Sequence, residues 1–178
     1  MILSDIFSEC KNQWSQAIKD KNHPFRFFVL STVDFENRPN SRNVILRGFD
    51  IKNLNFTIYA DLRSKKINDL KKSAAVQLLF YNYEYSNQII VQSELSDINT
   101  DLNIFNQLPE HSKKSYTSLD PPGKTIDDPY NVAIGKAINF CQLTFKALSI
   151  EVLLLKREAN IRCCFKLKND WKGFFMIP

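Results

Sequence analysis

Glycine is scarce in this sequence: four in 178 residues, none close enough to another to form a Gly-rich loop. A P-loop or a dinucleotide fingerprint, which needs glycines where backbone approaches phosphate, is excluded. Histidine is scarcer still, with His23 and His111 far apart. The four cysteines, Cys10, Cys141, Cys163 and Cys164, show no CxxC spacing, so no zinc set can be read. They are expected to be reduced core residues of a cytoplasmic protein. Long hydrophobic runs are missing too. ALSIEVLLL is interrupted by Glu151 and is too short to span a bilayer. The opening MILSDIFSEC has neither a basic n-region nor a long apolar stretch, so no secretory leader is expected.

What is present is ordinary for a globular chain, with 44% hydrophobic and 24% charged residues. The length suits one domain, taken as residues 1–178. Fourteen phenylalanines favour sheets and a large core. The net charge of +5 admits an anionic ligand, a nucleic acid or simply a solvated basic surface.

Leu3, Ile6, Phe7, Cys10, Trp14, Ala17 and Ile18 form a helical stripe, with Ser4 or Asp5 as its expected cap and Pro24 closing the segment. Strands are predicted at FRFFVLSTVD, SRNVILRGF, LNFTIYA, AAVQLLFY and QIIVQSEL, separated by the turns ENRPN, DIKN and EYSN and by a short helix, SKKINDLKK. Ser64 is placed as the N-cap of that helix, with Ile67 and Leu70 inward. Residues 98–118 are expected to be helical and broken at Pro109. A loop with three prolines follows. FCQLTFKALSIEVLLL reads as one strand or two, and IRCCFKL and WKGFFMI as a final pair around KND. Short sequential strands with few helices predict an antiparallel barrel, closed or partly closed, with helices over its ends.

The stretch YADLRSKKINDL concentrates Arg63, Ser64, Lys65 and Lys66 at a helix start. Free backbone N–H groups and the positive end of the macrodipole suit a phosphate there. Arg42 and Arg47 flank the preceding strand and can add planar contacts. A capped surface helix with solvated lysines is the plainer alternative. Arg42 and Arg47 are five apart, so in a flat strand they point to opposite faces. Both reach one ligand only across a bulge or strong twist. Gln88 opens the fifth strand with an amide able to donate and accept, suited to a heterocycle's mixed edge.

In order, RNVILR (42–47), FTIY (56–59), RSKK (63–66), QLLFY (77–81) and QIIVQ (88–92) resemble the motifs of the pyridoxamine 5'-phosphate oxidase-like FMN-binding split-barrel family. The resemblance covers residues 20–178. It implies a six-stranded antiparallel split β-barrel with peripheral α-helices, and a homodimer with FMN in each of two interfacial clefts. By this resemblance Arg42 and Lys66 are phosphate ligands, with Ser64 and Lys65 beside them. Val44 meets the flavin through its backbone and Arg47 lies near the ring. Tyr59 and Ala60 line the cofactor, Gln88 bonds the ring's polar edge, and Arg162 approaches from the other subunit.

The family's oxidases proper have Arg where Lys65 stands and Thr where Ala60 stands. They also carry a late-strand Trp, not evident at Leu153–Leu155, and an Arg and a His upstream of the final Arg. Here that last stretch reads Glu158, Ala159, Asn160, Ile161, Arg162. A phosphorylated vitamin would meet a carboxylate where a cation is needed. The expected function is therefore an FMN-binding oxidoreductase with a divergent substrate site. The alternatives are a non-catalytic flavin or haem-type binder and a basic nucleic-acid-binding barrel. The third fits less well, because Asp and Glu are dispersed among the same basic segments.

Overall fold

The structure, a computed structural model, describes residues 2–178. Helix α1 (Leu3–Lys19) buries Ile6, Cys10, Trp14 and Ala17, four side chains at three- and four-residue spacing. Its N-cap position is Ile2, with no side-chain cap, so Ser4 and Asp5 fall inside the first turn rather than capping it. Arg26 donates to the carbonyls of Ala17 (3.1 Å) and Ile18 (3.3 Å), closing the far end.

Nine strands follow: β1 (Phe27–Val33), β2 (Pro39–Ile45), β3 (Gly48–Asp50), β4 (Asn55–Asp61), β5 (Ala75–Asn82), β6 (Asn87–Asn99), β7 (Phe140–Leu154), β8 (Ile161–Lys166) and β9 (Gly173–Met176). Helix α2 (Lys65–Lys72) separates β4 from β5. The short helices α3 (Leu102–Asn106) and α4 (Glu110–Lys113) lie between β6 and β7. The sheet runs β2-β1-β5-β6-β7-β4-β3, with β8 and β9 branching from β7. Every pairing is antiparallel.

The split is made by β7. One edge pairs with β6 along its length; the other pairs with β4 over Phe140–Lys146 and with β8 over Ser149–Leu154. The partner changes where the β6 register slips, Gln92 facing Ser149 but Ser93 facing Ala147. Leu148 is the extra residue, and it flips the strand's parity: Cys141, Leu143, Phe145 and Ala147 face inward before it, Ile150 and Val152 after it. Residues 140–154 are thus one bulged strand.

The strand count exceeds six for two reasons. The predicted strand 41–49 is cut in two, because Leu46 donates its N–H to Arg26 and Arg47 donates to Thr57. The chain leaves β1 and joins β4 at that kink, so β3 is the continuation of β2 on the other edge of the sheet. The other addition is the β8–β9 pair. The predicted helical run 98–118 is also corrected: β6 continues to Asn99, and only short helical turns follow.

Trp14 from α1 fills the barrel, packing against Phe49, Phe56 and Phe80 at centroid distances of 5.3, 4.9 and 5.7 Å. Each large side chain so buried contributes roughly 1.5–3 kcal/mol of transfer free energy. On the far side of the β4–β7 pair, Tyr59 and Tyr116 meet Phe140 edge-on.

Candidate functional site

Three of the predicted phosphate-corner residues meet at the start of α2. Arg42 lies on β2 opposite Leu30, on the core-facing side of the sheet. Its Nη1 donates to Thr32 Oγ1 at 2.8 Å and to the Leu30 carbonyl at 3.3 Å, while Nη2 stands 3.5 Å from Asp69 Oδ2. Thr32 Oγ1 donates to the same carboxylate oxygen at 2.6 Å. Asp69 comes from α2 and is buried, so the guanidinium is fixed between strand and helix. Burial lowers the Arg42 pKa, and Asp69 opposes that shift.

Ser64 occupies the N-cap position with extended backbone (φ −70°, ψ 151°), and its carbonyl accepts the Ile67 N–H. Its hydroxyl makes no capping bond, contrary to expectation, and instead accepts from Lys66 Nζ at 3.2 Å. Lys66 is half-buried. Burial pushes its pKa below the usual 10.5, and the neighbouring Arg42 pushes it further. Among the described residues the Lys66 amino group has no carboxylate partner within ion-pair distance.

The other two cations of the motif turn away. Lys65 reaches the β1–β2 turn, donating to Asn40 Oδ1 at 2.8 Å and standing 3.6 Å from Asp34. Consecutive helical residues diverge by about 100° around the axis, so Lys65 and Lys66 cannot share one direction. Arg63 clamps Asp61 through Nε (3.0 Å) and Nη2 (2.7 Å) and donates to the carbonyls of Ser118 and Leu119. It ties the long β6–β7 connection to the end of β4.

Val44 is partly buried against the core, and Ala60, at the end of β4, is buried with its carbonyl accepting from Cys141 Sγ at 3.5 Å. Arg47 stands at the kink, its Cζ 5.4 Å from the Tyr59 ring centroid. The kink at Leu46–Arg47 interrupts the strand between Arg42 and Arg47, so their odd spacing does not fix them on opposite faces of one flat strand. Tyr116 joins this wall from the 3₁₀ turn at 114–116; burial raises its phenol pKa, and Arg47 partly offsets the rise. Nothing in the sequence pattern marked Tyr116, since a lone aromatic in an irregular segment carries no periodicity, and Phe140, although legible as the start of a strand, carried no sign that it faces Tyr59.

Gln88 and Arg162 lie elsewhere. Gln88 pairs with Leu153 and Leu153 with Arg162, which puts all three in one cross-strand row on one face. Arg42 belongs to the row Leu30, Leu78, Val91. Gln88 is three residues from Val91, so it points to the opposite face. Within one chain these two residues do not join the phosphate corner. Arg162 is bound through Nε (3.0 Å) and Nη2 (2.7 Å) to Glu151 Oε1.

Among the described residues no helix is long and apolar enough to cross a membrane. In solved structures the same architecture recurs. An FMN-binding protein from Nostoc punctiforme, described as pyridoxamine 5'-phosphate oxidase-related, superposes with a TM-score of 0.77 at 18% identity, covering 96% of each chain. PhzG from Burkholderia lata, in complex with tetrahydrophenazine-1-carboxylic acid, superposes at 0.76 and 16% identity, covering 96% of this chain and 91% of its own. By sequence, the pyridoxine/pyridoxamine 5'-phosphate oxidase of Cupriavidus necator is 27% identical over 100 residues, 56% of this chain and 46% of the relative. That of Legionella pneumophila is 33% identical over 84 residues, 47% of this chain and 38% of its own. The aligned stretch thus spans less than half of these relatives' length. The family model described as "Pyridoxamine 5'-phosphate oxidase, FMN-binding domain" matches residues 8–98, which takes in most of α1, β1–β5, nearly all of β6 and the Arg42, Ser64 and Lys66 positions, and the chain belongs to that family.

Proposed function

We propose that this chain, acting as one FMN-binding domain over residues 1–178, binds FMN as a homodimer and serves as an FMN-dependent oxidoreductase on a substrate other than pyridoxamine 5'-phosphate. The observation that carries the reading is the charge balance of the corner. Lys66 and Arg42 repel each other in a half-buried setting, and the nearby carboxylates are engaged: Asp69 with Arg42 and Thr32, Asp61 with Arg63, Asp34 with Arg38 and Lys65. A dianionic phosphate is the complement such a corner lacks.

Arg42, Lys66 and Ser64 would hold the 5'-phosphate, with Lys65 contributing only longer-range charge. Val44 and Ala60 would border the cofactor through their backbones. Tyr59 and Arg47 form a wall on which a planar ring can rest, with the Arg47 guanidinium placed to stabilise negative charge on it. Bound FMN supplies hydride acceptance. Gln88 and Arg162 share the opposite face, which suits them to the cofactor of the second copy. Arg162 is already neutralised by Glu151, and Glu158, Ala159 and Asn160 next to it are exposed and carry no cation. A phosphorylated substrate approaching that row meets an arginine already engaged by Glu151, and the positions just before it offer Glu158, Ala159 and Asn160, the nearest cations of the turn being the exposed Lys156 and Arg157; the engaged arginine supports a different substrate. The four free, buried cysteines agree with a cytoplasmic setting.

The test is a titration of the purified chain with FMN, followed by visible absorbance and size-exclusion chromatography. Flavin absorbance that co-elutes at dimer size, and is bleached anaerobically by an amine or nicotinamide donor but not by pyridoxamine 5'-phosphate, is the expected result. A chain that ignores FMN overturns the cofactor reading. Bound flavin that no donor reduces overturns the enzymatic one.

A further inference from the structure

Beneath α1, at the end of the barrel that carries the β5–β6 hairpin, lies a cavity of about 400 Å³, apart from the Arg42 corner. Its floor is apolar: Ile6 and Cys10 from the helix, Val152 and Leu154 from β7. Its rim carries Asp5, Glu9, Tyr85 and Lys156. Two further lining residues, Gln13 and Asn87, are 5% and 6% exposed. The amide oxygens of both, Gln13 Oε1 and Asn87 Oδ1, are buried, and no donor among the described residues reaches them.

Neither oxygen is met by its polar neighbours in this structure. The Gln13 amide nitrogen is committed to Glu9 Oε1 at 3.0 Å, which fixes the oxygen on the other side. Asn82, directly across from Asn87 in the β5–β6 pair, spends its Oδ1 on the N–H groups of Glu84 and Tyr85, and its Nδ2 makes no bond to Asn87. Leaving a buried acceptor unpaired is destabilising, so two among the residues lining one cavity call for an outside donor. The rim adds two carboxylates against one lysine. Acceptors outnumber donors, the floor is apolar, and the volume suits a ring-sized molecule.

We propose that this cavity is a binding site for a small primary amine with an apolar body, its ammonium group donating to Gln13 and Asn87 beneath the Asp5–Glu9 rim. The apolar portion rests on Ile6, Val152 and Leu154. Because Asn87 and Leu154 are the chain neighbours of Gln88 and Leu153 on the opposite face, the ligand would sit behind the Gln88–Arg162 row.

The test titrates the full chain with benzylamine, benzyl alcohol and benzoate and follows backbone amide shifts by ¹⁵N NMR. Benzylamine should give saturable shifts at residues 6–13, 85–87 and 152–154 and bind about tenfold more tightly than benzyl alcohol, with benzoate giving none. Glu9 is exposed, so Glu9→Gln keeps the fold. It should weaken benzylamine several-fold and leave benzyl alcohol unchanged, whereas Gln13→Met should weaken both. Shifts that fail to saturate at these amides would mean that the cavity holds water only. That result, benzoate binding as well as benzylamine, or a Glu9→Gln variant with unaltered benzylamine affinity would each overturn the proposal. No flavin enters the readout, so the outcome is independent of the cofactor reading.

Discussion

Replacing Lys66 by methionine should move two quantities in opposite directions. Methionine keeps the length and apolar stem of the side chain and removes the charge. In the flavin-free protein Lys66 is half-buried, repelled by Arg42 and, among the described residues, hydrogen-bonded only to Ser64 Oγ. Removing an unmatched cation from such a place leaves stability unchanged or raises it by up to about 1 kcal/mol. For a chain of this size that is about 2–4 °C in melting temperature. Loss of a charge-assisted bond to a phosphate costs about 1.5–3 kcal/mol, so FMN should bind roughly 10- to 100-fold more weakly. Fluorescence quenching of FMN gives the affinity, and thermal unfolding of the flavin-free protein gives the stability.

The pH dependence supplies a third readout. The folded pKa of Lys66 lies below its unfolded value of 10.5. Between the two, the unfolded chain holds the proton more firmly. Wild-type stability should therefore gain a rising component as pH climbs through that alkaline window, and the Lys66→Met protein should lack it. A variant that loses stability while binding FMN normally would show Lys66 to be a structural cation, and the phosphate reading would fail.

Arg42→Met should weaken FMN binding and also destabilise the fold by about 3 kcal/mol, because Asp69 would be left buried without its cation; chemical denaturation distinguishes this double loss from the Lys66 result. Gly173→Ala should cost about 1–3 kcal/mol, since an added Cβ would collide with Cε1 of the buried Phe165 ring; an unchanged unfolding midpoint would contradict that crowding. His23 accepts the Phe25 N–H through Nδ1, and burial lowers its pKa from 6.5. Stability should fall as pH drops from 6.5 toward the folded value, and His23→Asn, which keeps an acceptor, should flatten that decline; parallel pH profiles would refute it.

Most strands were legible because each buries one face against α1 or the opposite wall, which writes alternation into the sequence: Phe28, Leu30 and Thr32 in β1, Phe56, Ile58 and Ala60 in β4. The break at Leu46–Arg47 was not, because it is made by hydrogen bonds to Arg26 and Thr57, partners distant in sequence. The bulge at Leu148 hid for a related reason: it changes parity inside an apolar run in which either phase looks buried. At the site, Ser64 and Lys66 were legible because a helix start keeps them close in sequence, whereas Arg42, on β2 with β3 and β4 intervening, is brought to them by the sheet and was marked by the order of the motifs. Lys65 was drawn in by adjacency alone, and the helical rotation that carries it to Asn40 overrides that adjacency. The separation of Gln88 and Arg162 from the corner follows from strand parity across a register that only pairing partners define.

The connection between β6 and β7 has a consequence for how this protein tolerates change. The two strands form the longest ladder in the sheet, yet residues 100–139 intervene between them. Once that ladder is in place, the entropy of closing the connection grows only logarithmically with its length; doubling it would cost about 0.6 kcal/mol. Insertions and deletions there can accumulate without re-registering a strand. The same segment leans Tyr116 on Phe140 and is pinned by Arg63, which immediately precedes Ser64. Its divergence can therefore recast one wall of the corner while the cations stay where α2 and β2 hold them.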